Sequence, residues 1–131
     1  MSNQITNFRV AIVDGEPIVA DTLAAILNLH GYEAKAHYCG ESALADAKLS
    51  CPQVVLSEVG TRNIDGIEMA LRIREGNPEC RIILFTASPI RREIYSRIQD
   101  LGFEFLQRPL HPREVLDRGT EYCGNRESHE Y

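Results

Sequence analysis

The sequence predicts an α/β fold, a five-stranded parallel sheet in a three-layer α/β/α sandwich. Three observations predict it. Short, largely β-branched apolar runs recur five times along the chain. A stretch with apolar residues at helical spacing follows each run. Acids, hydroxyls and bases collect where the runs end. Strands joined through helices run parallel with right-handed crossovers, so helices cover both faces of the sheet.

Each element has its own grounds. FRVAIVD, Phe8 to Asp14, is a buried strand. Pro17 suits the first turn of the next helix, whose stripe runs through Leu23, Ile26 and Leu27 until Gly31 stops it. YEAKAHY is half polar, as suits a strand near the sheet edge. GESALADAKLS is a short helix of good formers, closed by Cys51 and Pro52. VVLSEV is the second continuous apolar strand. After the loop TRNIDG, IEMALRIREGN is amphipathic and stops at Gly76-Asn77-Pro78. RIILFTA is the third apolar strand. PIRREIYSRIQDLG repeats apolar residues at Ile90, Ile94, Ile98 and Leu101, a helical stripe beginning at the proline. FEFLQ is a last short strand, and PREVLDRGTEY begins a last helix that Gly119 weakens.

The totals agree with one domain. The 131 residues are 44% apolar and 25% charged, with room for one core. We expect an extension at 1–7, the domain at 8–123 and a frayed tail at 124–131. A net charge of −5 argues against direct nucleic-acid binding. No apolar run is long enough to span a membrane, and the start MSNQITNFRV lacks the pattern of a secretory signal. The cysteines at 39, 51, 80 and 123 are scattered, which suits thiols in a reducing cytosol rather than a disulfide or zinc framework. The expected location is therefore cytoplasmic.

In such folds ligands gather at the carboxyl ends of the strands, near the point where strand order reverses. The residues there are Asp14, Gly15, Glu58, Thr86 and Arg108. VAIVDGEP, PQVVLSEV with a following DG, IILFTA and FLQRP, in that order, resemble the receiver (CheY-like) domain of two-component response regulators. The resemblance covers about Val10 to Val115. It implies the flavodoxin-like (βα)5 topology and a phosphorylation switch. Two acids after the first strand and an aspartate after the third hold magnesium, and that aspartate takes a phosphoryl group from a histidine kinase. A threonine after the fourth strand and a lysine after the fifth bind the phosphate. An aromatic residue on the fifth strand turns inward, which remodels the face made by the fourth helix, fifth strand and fifth helix.

This chain departs from that pattern. Asp14 falls on the first acid, but the second is Gly15; the phosphoacceptor position is Glu58; the lysine position is Arg108. Thr86, Pro109 and the aromatic Phe105 are retained, and Arg62 replaces a common proline. Magnesium needs near-octahedral oxygen ligation, so with Gly15 its binding is expected to be weak or absent and no cofactor is expected. Glu16 is a further acid nearby, explained equally well as a first-turn helix residue. Glutamate carries its carboxylate one methylene further out, which spoils an in-line geometry. The expected function is a non-enzymatic signalling module whose Glu58 pairs with Arg108 and Thr86, with a cis peptide before Pro109 aiming the arginine. Glu58 is then either a fixed charge holding an active-like state, with Phe105 inward, or the filler of a decayed site.

Two rivals remain: a phosphorylatable receiver using Glu58, and a flavodoxin-like binder of a nucleotide or flavin. DGEP supplies neither the amide nest nor the hydroxyls that the second needs. Ser57 is expected to face away from Glu58 and pack. His30, His37, His111 and His129 lack ligand spacing and read as solvated or loop residues. Arg91, Arg92 and Arg97 make the fourth helix basic, and Arg91, Ile94, Arg97 and Leu106 are the expected partner surface. The partner is a histidine kinase or downstream effector, with no membrane contact; the chain itself is expected to be a monomer or weak homodimer.

Overall fold

A computed structural model of the chain describes residues 8–60, 65–86 and 89–107. Within them the elements alternate as β1 (Arg9–Val13), α1 (Pro17–Leu29), β2 (Glu33–His37), α2 (Gly40–Ser50), β3 (Val54–Glu58), α3 (Gly66–Gly76), β4 (Arg81–Thr86), α4 (Arg92–Asp100) and β5 (Glu104–Gln107). The expected last helix, the N-terminal extension and the tail lie outside the described residues.

The five strands form one parallel sheet in the order β2-β1-β3-β4-β5. The half-polar β2 takes the edge, as its composition predicts. Side chains alternate across the sheet and build a core on each face. Val10, Ile12, Val54, Leu56, Ile83 and Phe85 pack with Ala20, Leu23, Ala24 and Leu27 of α1. Ala11, Val13, Val55, Ile82 and Leu84 pack on the other face with Ala43 of α2, Ile67, Met69, Ala70 and Ile73 of α3 and Ile98 of α4. Among the described residues no helix is long and apolar enough to cross a membrane.

Local chemistry sets the ends. Pro17 opens α1, and Gly31, at φ 94°, turns the chain out of it. Asp65 caps α3 by accepting the Glu68 amide at 2.7 Å. One boundary differs from expectation. The stripe through Ile90 predicts a fourth helix from Pro89, but α4 starts at Arg92 with Arg91 as its extended N-cap. Ile90 reaches the core from that non-helical approach, beside Ile94, Ile98 and Leu101.

Candidate functional site

Strand order reverses between β1 and β3, and the register places Val13, the last residue of β1, opposite Ser57, the penultimate residue of β3. The next residue on each strand, Asp14 and Glu58, therefore stands at the switch point. Asp14 is 6% exposed. Its amide donates to the His37 carbonyl at 3.0 Å, and its Oδ1 accepts the Glu16 amide at 2.8 Å. Burial holds its carboxyl above the ordinary range; the Glu16 amide opposes this, while the charges of Glu58 and Glu16 add to it. Glu16 is the exposed N-cap of α1 and makes no side-chain cap, so its amide rather than its carboxylate joins the site.

Gly15 brings no side chain to this pocket. Its φ is not in the left-handed region, and a Cβ placed there would find its nearest neighbour, the Tyr38 carbonyl oxygen, at 3.9 Å. Neither backbone conformation nor packing demands a glycine at this position.

Glu58 is half-buried, and its Oε1 accepts the Gly60 amide at 2.8 Å. The side chain folds back over its own loop. The backbone beneath is fixed from three sides: Ser57 Oγ donates to the Glu58 carbonyl at 3.0 Å, Val59 N donates to Phe85 O at 2.9 Å, and Gly66 N donates to Val59 O at 2.7 Å. A Cβ at Gly66 would lie 2.5 Å from the Glu58 carbonyl oxygen, so this close approach of α3 to β3 needs a glycine. The glycine of the DG pair that follows VVLSEV in sequence is thus the clamp on the Glu58 backbone. Sequence reasoning missed the Gly60 amide, because an unbranched carboxylate's rotamer has no signature in sequence.

Thr86 ends β4 opposite Gln107 and is buried at 8% exposure. Phe105 is half-buried and meets Tyr95 of α4 edge-to-face, with ring centroids 5.7 Å apart. Arg108, Pro109 and the peptide between them lie outside the described residues, as do Arg62, His111 and His129. Ser57 is fully buried on the face opposite Leu56, as strand alternation requires.

Two expectations are corrected. Leu106 is not part of an exposed partner surface: at 3% exposure it packs with Ile83 and Phe85, because alternation along β5 turns it away from the α4 side that Phe105 occupies. Ile94 is half-buried, while Arg91, Arg92 and Arg97 are exposed. His37 is not a solvated histidine. It is 7% exposed, since α2 covers this end of β2 although His37 shares its side of the strand with the exposed Glu33 and Lys35. His30 is exposed, with Nδ1 2.9 Å from the Ile26 carbonyl.

Among the described residues no group of three or more His, Cys, Asp or Glu is placed to hold a metal. The carboxylates nearest to such a role are Asp14 and Glu58, and each already accepts a backbone amide.

Comparison with known proteins agrees with this arrangement. The family described as response regulator receiver domain matches residues 10–119. The transcriptional regulatory protein CreB of Escherichia coli is 29% identical over 112 residues, covering 83% of this chain and 48% of that protein. The alkaline phosphatase synthesis transcriptional regulatory protein PhoP of Bacillus subtilis is 27% identical over 115 residues, covering 86% of this chain and 47% of that protein. The chain thus spans about half the length of the curated relatives it matches. In fold it is similar to a CheY-like receiver domain protein from Methanospirillum hungatei JF-1, with a TM-score of 0.84 at 21% identity over 92% of this chain and 97% of that one. With the β2-β1-β3-β4-β5 sheet and the acids at its switch point, the match over residues 10–119 shows that this chain belongs to the response regulator receiver domain family, the signalling modules of two-component systems.

Proposed function

We propose that this receiver does not carry its signal as a phosphoryl group on residue 58, and that Glu58 serves as a fixed charge in a module acting by contact with another signalling protein. The observation that carries the reading is the engagement of Glu58 Oε1 by the Gly60 amide at 2.8 Å, beside a Gly15 that offers no side-chain oxygen. Phosphoryl transfer is almost entirely positioning and charge neutralisation. A carboxylate already folded onto its own loop is poorly placed for in-line attack. The oxygen donors left at the strand ends do not fit magnesium, which requires six at near-ideal geometry. No step of the proposed function passes through the metal.

The partner is a histidine kinase or a downstream effector. The surface offered to it is the exposed side of α4, with Arg91 and Arg97, beside Ile94 and the Tyr95–Phe105 pair. Arg91, Arg92 and Arg97 in one short segment favour an acidic partner face, whose attraction weakens with salt. A pairing of Glu58 with Arg108 and Thr86, aimed by a cis peptide at Pro109, would complete the fixed charge.

Incubation with a small acyl phosphate and magnesium, followed by intact mass measurement, tests the reading. The expected result is an unchanged mass; a gain of one phosphoryl group mapped to Glu58 overturns it. Partner capture with the parent chain, Glu58→Ala and Glu58→Asp then separates the two roles of the acid. Capture lost in Glu58→Ala supports the fixed charge, whereas equal capture by all three makes Glu58 the filler of a decayed site.

A further inference from the structure

Away from the acid pocket, the side of β2 that faces α2 carries a polar cluster for which the receiver function has no use. Ala34 and Ala36 turn toward the α1 core, which leaves Lys35 and His37 under α2. The His37 side chain is 8% exposed. Its Nδ1 lies 2.9 Å from the Oγ of Ser42, an exposed residue in the first turn of α2. Its Nε2 lies 3.4 Å from Asp46 Oδ2, an ion-pair distance without the alignment of a hydrogen bond, and has no other partner among the described residues. Asp46 is held in turn by Lys35 Nζ at 3.2 Å and by Ser50 Oγ at 3.1 Å.

The order of these groups is that of an activated nucleophile. A carboxylate facing Nε2 favours the tautomer with its proton there, which leaves the Nδ1 lone pair toward the Ser42 hydroxyl. Ser42 is the third residue of α2, and Cys39 gives that helix no side-chain cap. Its first-turn amides form a positive end beside the hydroxyl. That end favours a carbonyl oxygen turning into an oxyanion nearby, against the opposing charge of Glu41 in the same turn.

We propose that Ser42, His37 and Asp46 form a second site, in which Ser42 is a nucleophile toward small activated acyl esters. Ser42 Oγ bonds to the acyl carbon while its proton passes to His37 Nδ1. The bond from that carbon to the leaving oxygen then breaks, and the departing alkoxide takes the proton from Nδ1. Water repeats the sequence to release the acid. Asp46 is a positioning residue: it holds the tautomer and touches no substrate. Burial pushes the His37 imidazole below its ordinary pKa, against the opposing pull of Asp46, so the base is neutral at neutral pH.

The test is labelling of the whole chain by a small fluorophosphonate, in which Ser42 Oγ bonds to phosphorus and fluoride leaves. Intact mass and peptide mapping read the product, with hydrolysis of p-nitrophenyl acetate as a second measurement. Labelling is expected at Ser42, about 100-fold faster than in the urea-unfolded chain, the usual scale of a positioned base. The rate should rise with pH as the imidazole loses its proton and be level above about pH 6.5. Because His37 is buried, Ser42→Ala and Asp46→Asn are the variants used. Ser42→Ala should abolish labelling. Asp46→Asn presents an amide N–H to Nε2, selects the wrong tautomer, and should slow labelling about tenfold or more while the fold persists by circular dichroism. Labelling at another residue, a rate no faster than in the unfolded chain, or an Asp46→Asn rate equal to the parent's overturns the proposal.

Discussion

Gly66→Ala is the substitution on which the site's construction can be judged. An added Cβ would stand 2.5 Å from the Glu58 carbonyl oxygen and 3.0 Å from both Cα and O of Val59. Ordinary contact begins at 3.4 Å, so the carbonyl must retreat by about 0.9 Å, the difference between 3.4 and 2.5 Å. Every crowded atom is backbone, and that backbone is tied to Phe85 and to Gly66 itself by hydrogen bonds of 2.9 and 2.7 Å. No side chain can swing away to absorb the strain. Overpacking of this kind costs about 1–3 kcal/mol, and alanine's better helix propensity returns less than about 1 kcal/mol. The net cost is then about 0.5–2.5 kcal/mol, and at roughly 4 °C per kcal/mol for a domain of this size the midpoint of thermal unfolding should fall by about 2–10 °C. Calorimetry measures that fall, and the amide resonance of Gly60 should move with it, because the displaced carbonyl carries the Glu58 side chain along. Gly76→Ala is the control: a Cβ there meets nothing within 4 Å, so the same exchange at the other end of α3 should be neutral or stabilise by up to about 1 kcal/mol. A midpoint for Gly66→Ala equal to the parent's, with Gly60 unmoved, would refute the close-approach argument.

The double variant Gly15→Asp, Glu58→Asp should gain saturable magnesium binding in the millimolar range, about −4 kcal/mol, because the nearest atom to a Cβ at 15 is 3.9 Å away and the pocket admits the acid. Amide shift titration checks this, and a flat response would mean that more than two side chains separate this pocket from a metal site. Asp14 keeps its proton to higher pH in the folded chain than in the unfolded one, because burial raises its pKa above 3.8. Its contribution to stability is therefore complete below about pH 3.8 and lost as pH rises through the folded value. Asp14→Asn should accordingly unfold at a higher temperature than the parent near pH 7, with the gap closing as pH is lowered toward about 4; a pH-independent gap counts against the burial argument. Ile98→Ala removes the one fully buried side chain of α4 and should cost about 2–5 kcal/mol by chemical denaturation. A loss below about 1 kcal/mol would show that α4 is held by its exposed side instead.

The sequence by itself determined the alternation of elements, the sheet and the identity of the switch-point residues. These rest on short-range signals: β-branched runs at Val10–Val13, Val54–Leu56 and Ile82–Phe85, proline at 17, and glycine after a capping aspartate at 66. Such signals act through local backbone sterics and through the burial of one face, and both are periodic in sequence. Period two also fixes Ser57 against Leu56, and the same rule applied along β5 would have withdrawn Leu106 from the partner surface. The start of α4 was not legible, because Ile90 serves the core equally well from a helix or from an extended approach. Only the tertiary structure decided where Glu58 points and what surrounds His37. Glu58 is an unbranched side chain with several rotamers, and the folded loop presents the Gly60 amide to its Oε1 at 2.8 Å. His37 is buried because α2 crosses the end of an edge strand and sets Ser42 and Asp46 on either side of the ring. The first contact is a choice of rotamer within one loop and the second a meeting of strand and helix in space, and no period along the chain records either.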